Sequence, residues 1–360
     1  MKYILSGGGT GGHIYPALAI CDELTKQDKD AEIIYVGKKD SLEEELVGKK
    51  GYDFRPIHIS GLPRKKINKE TFITMVNLMR GLSESTKIIN DFKPDFVIGT
   101  GGYVCCPIVL KAQQKGIKTM IQEQNAYPGK TNRFLSRKAD LVFLNFKEAK
   151  KYFKNSNVIF TGNPIRNDFS HLDRNKKRQE LGLKAEDKLV FSFGGSGGQE
   201  STNDAIKEII KGNYNIDFKL VHVTGREHYE GFMKDLEIPE NVKIFDYSFE
   251  VPKYLMAADL VIASSSAMTL AEISAVGLAS ILIPKSYTAG NHQVFNANSY
   301  KDINASQIIT EDKLTGKLLY DNIEEILNND DLRKKMAENS KKMGNPDAVS
   351  EIVREIIKFK

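Results

Sequence analysis

Short apolar runs rich in β-formers alternate with longer stretches of helical period from one end of the chain to the other, and that rhythm belongs to α/β layers built on parallel sheets. The first series of candidate strands is Tyr3 to Ser6, Ile33 to Val36, Phe54 to Ile59, Phe96 to Gly99, Thr119 to Gln122 and Leu141 to Leu144. A second series is Leu189 to Phe193, Lys219 to Val223, Val242 to Phe245, Leu260 to Ala263 and Ser280 to Ile283. Between them TGNPIRNDFSHLDRNKKRQELG is polar and turn-rich, and reads as a linker from about Gly162 into a helix near Lys176 to Leu181. Two α/β domains with a cleft between them are expected, in keeping with 360 residues at roughly 150 per domain. After Ile309 the pattern is helical. A last helix from about Pro346 to Phe359, capped by Asn345, carries Val349, Ile352, Val353, Ile356 and Ile357 on one stripe that needs a surface to cover it.

Composition narrows the function classes. Hydrophobic residues at 41% and charged residues at 28% are those of a folded globular chain. Lys plus Arg exceeds Asp plus Glu by 52 to 47, a net +5 that is weak for nucleic-acid binding and suits anionic small substrates or an anionic membrane face. The cysteines, Cys21, Cys105 and Cys106, do not read as a secreted disulfide framework, and no spaced Cys/His set resembles a zinc site. MKYILSGGG is too short in apolar run for a signal peptide, and no stretch of 18 apolar residues occurs. The expectation is a chain that neither crosses a membrane nor enters the secretory route.

Three glycine loops follow candidate strands: Gly7 to Gly12, GTGGYVCCP at 99 to 107 and FGGSGGQES at 193 to 201. A strand, a glycine turn and a helix N-terminus make an anion site, because backbone N–H groups approach a phosphate without an intervening Cβ and the helix dipole adds positive potential. Gly7, Gly9 and Gly12 satisfy G-x-G-x-x-G, yet the second strand ends Tyr35-Val36-Gly37 without the acidic residue that a dinucleotide site wants. The alternative for each loop is a plain tight turn. In a fourth place, LVIASSSAMTLAEISAVGLASILIP at 260 to 284, Thr269 and Glu272 have the spacing of a capping box. The other reading has the amides around Ser266 to Met268 hold a diphosphate while Glu272 accepts from ribose hydroxyls.

GGTGGH (8 to 13), GTGGYV (99 to 104), QEQN (122 to 125), GNPIR (162 to 166), GGSGG (194 to 198), AMTLAE (267 to 272) and NHQVFNA (291 to 297) resemble, in order and spacing over nearly the whole chain, the MurG family of bacterial peptidoglycan glycosyltransferases, glycosyltransferase family 28. The resemblance implies the GT-B fold: α/β, two Rossmann-like domains facing a cleft, with a C-terminal helix returning to the N-terminal domain. It implies an inverting transfer of N-acetylglucosamine from UDP-GlcNAc to the C4 hydroxyl of the muramoyl sugar of undecaprenyl-diphosphate-linked lipid I, giving lipid II. That is a step of cell-wall biogenesis on which cell shape and division depend. Residues 1–163 would be the lipid I and membrane-associating domain, 164–344 the UDP-GlcNAc-binding domain, and 345–360 the returning helix. Its partners would be UDP-GlcNAc, lipid I and an anionic membrane surface at the cytoplasmic face of the cell membrane, with no nucleic acid, no cofactor and no metal.

By the same resemblance Thr10, Gly11 and Gly12 would contact the donor, Asn125 the transferred sugar, and Arg166 and Ser196 the nucleotide-sugar and its diphosphate. Ala267, Met268, Thr269, Leu270, Ala271 and Glu272 would form the diphosphate and ribose site, Gln293 would contact the GlcNAc, and a backbone contact to uracil would fall at Ser248 or Phe249. This sequence has Gln122 where many members have histidine, Gly197 where glutamine is frequent, and Ser264 and Ser266 where arginine and glycine are often seen.

An inverting transfer needs a base for the acceptor hydroxyl and positive potential for the departing diphosphate. His13 is the candidate base, since a helix N-terminus disfavours the imidazolium; its alternative is a structural or phosphate hydrogen bond. In LPRKKINKETFITMVNLMRGL, 62 to 82, the cluster Arg64, Lys65, Lys66 and Lys69 precedes Phe72, Ile73, Met75, Val76, Leu78 and Met79. That stretch is either a membrane-docking face or a core helix with a charged lead-in. The rival functions are a related glycolipid transferase, a UDP-GlcNAc 2-epimerase that needs no lipid acceptor, and a nucleotide-sugar sensor without turnover.

Overall fold

The computed structural model describes residues 1–61, 69–154, 157–165, 169, 173–195, 197–212 and 214–359, and the side chains of residues 69 and 70 lie outside the description. The chain divides into unit 1, Met1–Ile165 with Asp347–Lys360, and unit 2, Arg166–Pro346.

In unit 1 the strands are β1 (Lys2–Gly7), β2 (Glu32–Lys38), β3 (Asp53–Ile57), β4 (Phe96–Gly101), β5 (Lys118–Glu123), β6 (Leu141–Leu144) and β7 (Val158–Phe160). Between them run α1 (Gly11–Gln27), α2 (Leu42–Lys50), α3 (Lys69–Phe92), α4 (Cys106–Gln114) and α5 (Lys130–Leu135). Unit 2 alternates α6 (Arg174–Glu180), β8 (Leu189–Phe193), α7 (Glu200–Lys211), β9 (Lys219–Val223), α8 (Arg226–Met233), β10 (Val242–Phe245), α9 (Val251–Ala257), β11 (Leu260–Ala263), α10 (Ala267–Val276), β12 (Ala279–Leu282), α11 (His292–Lys301) and β13 (Ser306–Ile308), then closes with α12 (Gly316–Asn328) and α13 (Asp330–Met343). The chain re-enters unit 1 as α14 (Ala348–Lys358).

Both sheets are parallel throughout the described residues, ordered β3-β2-β1-β4-β5-β6-β7 and β10-β9-β8-β11-β12-β13. Strands covered on both faces need mostly apolar side chains on both, which is why β6 and β11 read as unbroken apolar runs, β4, β8 and β12 as apolar runs with a single buried Thr or Ser each, and all five are buried along their length. These are the two α/β domains that the alternating rhythm predicts, Rossmann-like as the family resemblance implies. Each sheet reverses its winding once, between β1 and β4 in unit 1 and between β8 and β11 in unit 2. In doubly wound sheets the crevice beyond the strand ends at such a switch point is where ligands bind.

Two local readings change. The last helix begins at Ala348 after Asp347, leaving Asn345 and Pro346 outside it. The cap of α10 is Ser266, whose Oγ accepts from the Thr269 amide at 3.3 Å, so Thr269 is not a cap and pairs with Glu272 in no capping box. Ser266 wins because it is the last residue with extended backbone before the helix, the geometry an N-cap requires.

Candidate functional site

The four loops singled out in the sequence lie at the two switch points: the first and second follow β1 and β4, the third and fourth follow β8 and β11. In unit 1 the first two loops pack backbone to backbone. The Gly8 amide donates to the Gly101 carbonyl at 3.3 Å, and a Cβ on Gly102 would lie 2.1 Å from the Gly8 carbonyl oxygen. Gly101 and Gly102 also hold positive φ, 112° and 75°, so glycine is required there on both counts. Thr10 has extended backbone before α1, and Gly11 and Gly12 are its first residues, so their amides belong to the helix end that lacks internal acceptors.

His13 stands in this first turn. A Cβ on Gly101 would come within 2.9 Å of its Nδ1, so the glycine makes room for the ring. Nδ1 is 3.0 Å from Gln124 Oε1, and Thr100 Oγ1 donates to the His13 carbonyl at 2.7 Å. Burial holds the imidazole below its usual range, against the opposing pull of its bonds to Gln124 and Thr100, so the ring is neutral near pH 7. Burial thus acts in the same direction as the helix-terminus argument made from sequence. Beside it Glu123 is buried, which raises its carboxyl. Its oxygens accept from the Asn125 amide at 3.0 Å, Asn125 Nδ2 at 3.1 Å, the Gly129 amide at 3.2 Å and Asn132 Nδ2 at 2.9 Å. Asn125 is thus anchored at the end of β5, in the same neighbourhood as His13.

In unit 2 the amides of Ala267, Met268 and Thr269 form the first turn of α10. Ser266 Oγ donates to Thr269 Oγ1 at 2.8 Å. Ser265 Oγ donates to the Gln293 carbonyl at 2.8 Å and Asn296 Nδ2 to the Ser265 carbonyl at 3.1 Å, which brings α11 and Gln293 against that turn. The Gln293 side chain is turned to the Lys285 amide, 3.0 Å away. Leu270 and Ala271 point into the core, while Glu272, one turn further in, is buried. Ser248, between β10 and α9, accepts from the Glu250 amide at 3.1 Å, and Phe249 beside it is exposed. Arg166 and Ser196 lie outside the described residues.

Sequence reasoning missed Glu311. Its carboxylate accepts from Gln199 Nε2 at 2.9 Å, Ser201 Oγ at 2.8 Å, and the amide and hydroxyl of Ser286 at 2.8 and 2.7 Å. Burial would raise its carboxyl, but these bonds outweigh it and hold it below the ordinary range. Glu311 therefore ties the exit of the third glycine loop to the segment that leads into Gln293. No short motif surrounds it, so only the folded sheet reveals it.

Residues 3–144 match the glycosyltransferase family 28 N-terminal domain and residues 189–352 its C-terminal domain. A Finegoldia magna protein described as UDP-N-acetylglucosamine--N-acetylmuramyl-(pentapeptide) pyrophosphoryl-undecaprenol N-acetylglucosamine transferase is 46% identical across 100% of this chain and 98% of its own. The crystal structure of Acinetobacter baumannii MurG superposes with a TM-score of 0.79 at 24% identity, over 99% of both chains. A Neisseria meningitidis UDP-GlcNAc 2-epimerase bound to UDP-GlcNAc gives a TM-score of 0.68 at 14% identity, over 99% of this chain and 100% of that one. These two likenesses show the fold.

Proposed function

The chain belongs to glycosyltransferase family 28, and from this membership we infer that it moves N-acetylglucosamine from UDP-N-acetylglucosamine to the C4 hydroxyl of the muramoyl sugar on undecaprenyl diphosphate, converting lipid I to lipid II in peptidoglycan synthesis. The full-length relationship to a transferase described in those terms carries this reading, and it sets the epimerase fold likeness aside.

Unit 1 receives lipid I and unit 2 holds UDP-GlcNAc. In the transfer the acceptor O4 attacks C1 of the sugar from the face opposite the diphosphate. The bond from C1 to the diphosphate oxygen breaks with its electron pair going to UDP, and the O4 proton passes to His13. The neutral imidazole supports the base role. The amides of Ala267 and Met268 at the head of α10 supply the potential that stabilises the departing diphosphate, with Arg166 and Ser196 assigned the same task from sequence. The family resemblance assigns Thr10, Gly11, Gly12, Asn125 and Gln293 to the donor sugar, Glu272 to the ribose, and Ser248 or Phe249 to the uracil.

The acceptor's undecaprenol tail keeps it in a bilayer, so the enzyme must come to the membrane. No helix among the described residues is long and apolar enough to cross one. What supports peripheral docking is α3, where Phe72, Ile73, Met75 and Met79 are 73, 55, 60 and 64% exposed. Lys130, Arg133, Arg137 and Lys154 line a basic hollow on the same unit, suited to an anionic lipid surface. Arg64, Lys65 and Lys66 of the basic cluster lie outside the described residues, as does the Lys69 side chain. The enzyme accordingly works at the cytoplasmic face of the membrane.

Radiolabelled UDP-GlcNAc with a lipid I analogue tests the reaction: label should move into the lipid fraction, and donor conversion without acceptor would instead indicate an epimerase. His13→Ala should lower turnover by about 100-fold while leaving donor affinity intact. A loss of less than about tenfold would assign His13 to positioning instead.

A further inference from the structure

Three side-chain amides run in series behind His13. Asn163 Nδ2 donates to the Gln124 carbonyl at 3.4 Å, Gln122 Nε2 donates to Asn163 Oδ1 at 3.0 Å, and Gln124 Nε2 donates to Gln122 Oε1. Gln124 Nε2 also donates to the Thr100 carbonyl at 2.6 Å and approaches the Gln122 carbonyl at 3.3 Å. Gln122, Gln124 and Asn163 are buried.

The direction of this series is fixed by elementary pairing rules. Backbone carbonyls only accept, so the end of Gln124 that faces Thr100 and Gln122 must be its NH2, and reversing it would set oxygen against two oxygens. The same holds at Asn163, whose NH2 faces the Gln124 carbonyl. With both ends set, Gln122 has one orientation that pairs donor to acceptor on each side. What Gln124 turns toward His13 is then its oxygen, 3.0 Å from Nδ1. An oxygen there requires a proton on Nδ1, and a neutral ring with its proton on Nδ1 carries its lone pair on Nε2.

We propose that Gln124 is a positioning residue that selects the Nδ1–H tautomer of His13, held in that orientation by Thr100, Gln122 and Asn163. Thr100 has a double part: its hydroxyl holds the His13 backbone while its carbonyl orients the Gln124 amide. A hydrolase triad puts a carboxylate behind its histidine, which stabilises the imidazolium. Here a neutral amide selects the tautomer without adding charge. The lone pair on Nε2 is what a base needs to take the acceptor proton, so the consequence for turnover rests on the reading of His13 as base; the tautomer itself does not.

Long-range proton–nitrogen correlation spectra of the full chain labelled with 15N-histidine, the His13 signals identified by their loss in His13→Gln, read the tautomer directly. The unsubstituted protein should show a pyrrole-type Nδ1 and a pyridine-type Nε2. Gln124→Leu should give a mixture and lower kcat by about tenfold or more, with the KM for UDP-GlcNAc held. A proton on Nε2 in the unsubstituted protein would overturn the proposal even if no variant folds, and an unchanged tautomer in folded Gln124→Leu would overturn it equally. If the tautomer shifts while kcat holds, the assignment to Gln124 is upheld and the base reading of His13 fails.

Discussion

Helices α3 and α14 both carry apolar side chains at helical spacing, and both belong to unit 1, yet one stripe is covered and the other is not. On α14, Val349, Ile352, Val353 and Ile356 are buried in the core with Ile14, Ala17, Leu18, Cys21 and Leu24 of α1. On α3, Phe72, Met75 and Met79 share a face that remains in solvent, with Ile73 beside it, while Thr74 is buried. Spacing alone reveals that a helix has an apolar side; what covers that side depends on partners far away in sequence. A single exposed leucine is ordinary, but several large apolar residues on one face mark a surface for contact.

The comparison breaks most severely at Ile352. An aspartate there would bury an unpaired charge between α14 and α1, and Ile352→Asp should lower the stability of unit 1 by about 4 kcal/mol or more in denaturant titration. Next in size, Phe72→Ser with Met75→Ser and Met79→Ser should leave stability within about 0.5 kcal/mol. The same triple variant should weaken sedimentation with anionic vesicles by about 30-fold, roughly 2 kcal/mol. Equal loss of stability from both sets would mean that α3 also covers a core. A smaller effect comes from Ser350, whose Oγ donates to Glu23 Oε1 of α1 at 2.8 Å. Burial would raise the Glu23 carboxyl, but bonds from Gln27, Ser350 and Lys26 outweigh it and lower it below the ordinary 4.5. A depressed carboxyl contributes stability above its unfolded value and loses it as pH falls through the folded one. Ser350→Ala should therefore cost on the order of 1 kcal/mol at pH 7, and the difference from the parent should shrink below pH 4.5. Vesicle binding through α3 should not follow that profile.

The sheet cores were legible because parallel strands buried on both faces cannot hide their composition: Leu141 to Leu144, Leu189 to Phe193 and Leu260 to Ala263 coincide with β6, β8 and β11. Two strands were not. β7 and β13 are three-residue edge strands, too short for a periodic signal. The glycine loops were legible because backbone contacts such as that of Gly102 with Gly8 admit no side chain. The orientation of His13 was not, since it depends on Gln124, a neighbour 111 positions away. Glu272 looked like half of a capping box only because Thr269 has the right spacing, while Ser266, three residues earlier, occupies the cap.

The division of unit 1 into Met1–Ile165 and Asp347–Lys360 sets an order of assembly on the ribosome. The first segment emerges with the apolar side of α1 complete and its cover absent. All of Arg166–Pro346 must be translated before α14 appears, at about 5–20 residues per second an interval of roughly 10 to 35 s. Throughout that interval the apolar side of α1 stays uncovered, the kind of surface that makes partly folded chains prone to aggregate. Unit 2, continuous in sequence, can close in the meantime, so the unit that starts first is the one that finishes last.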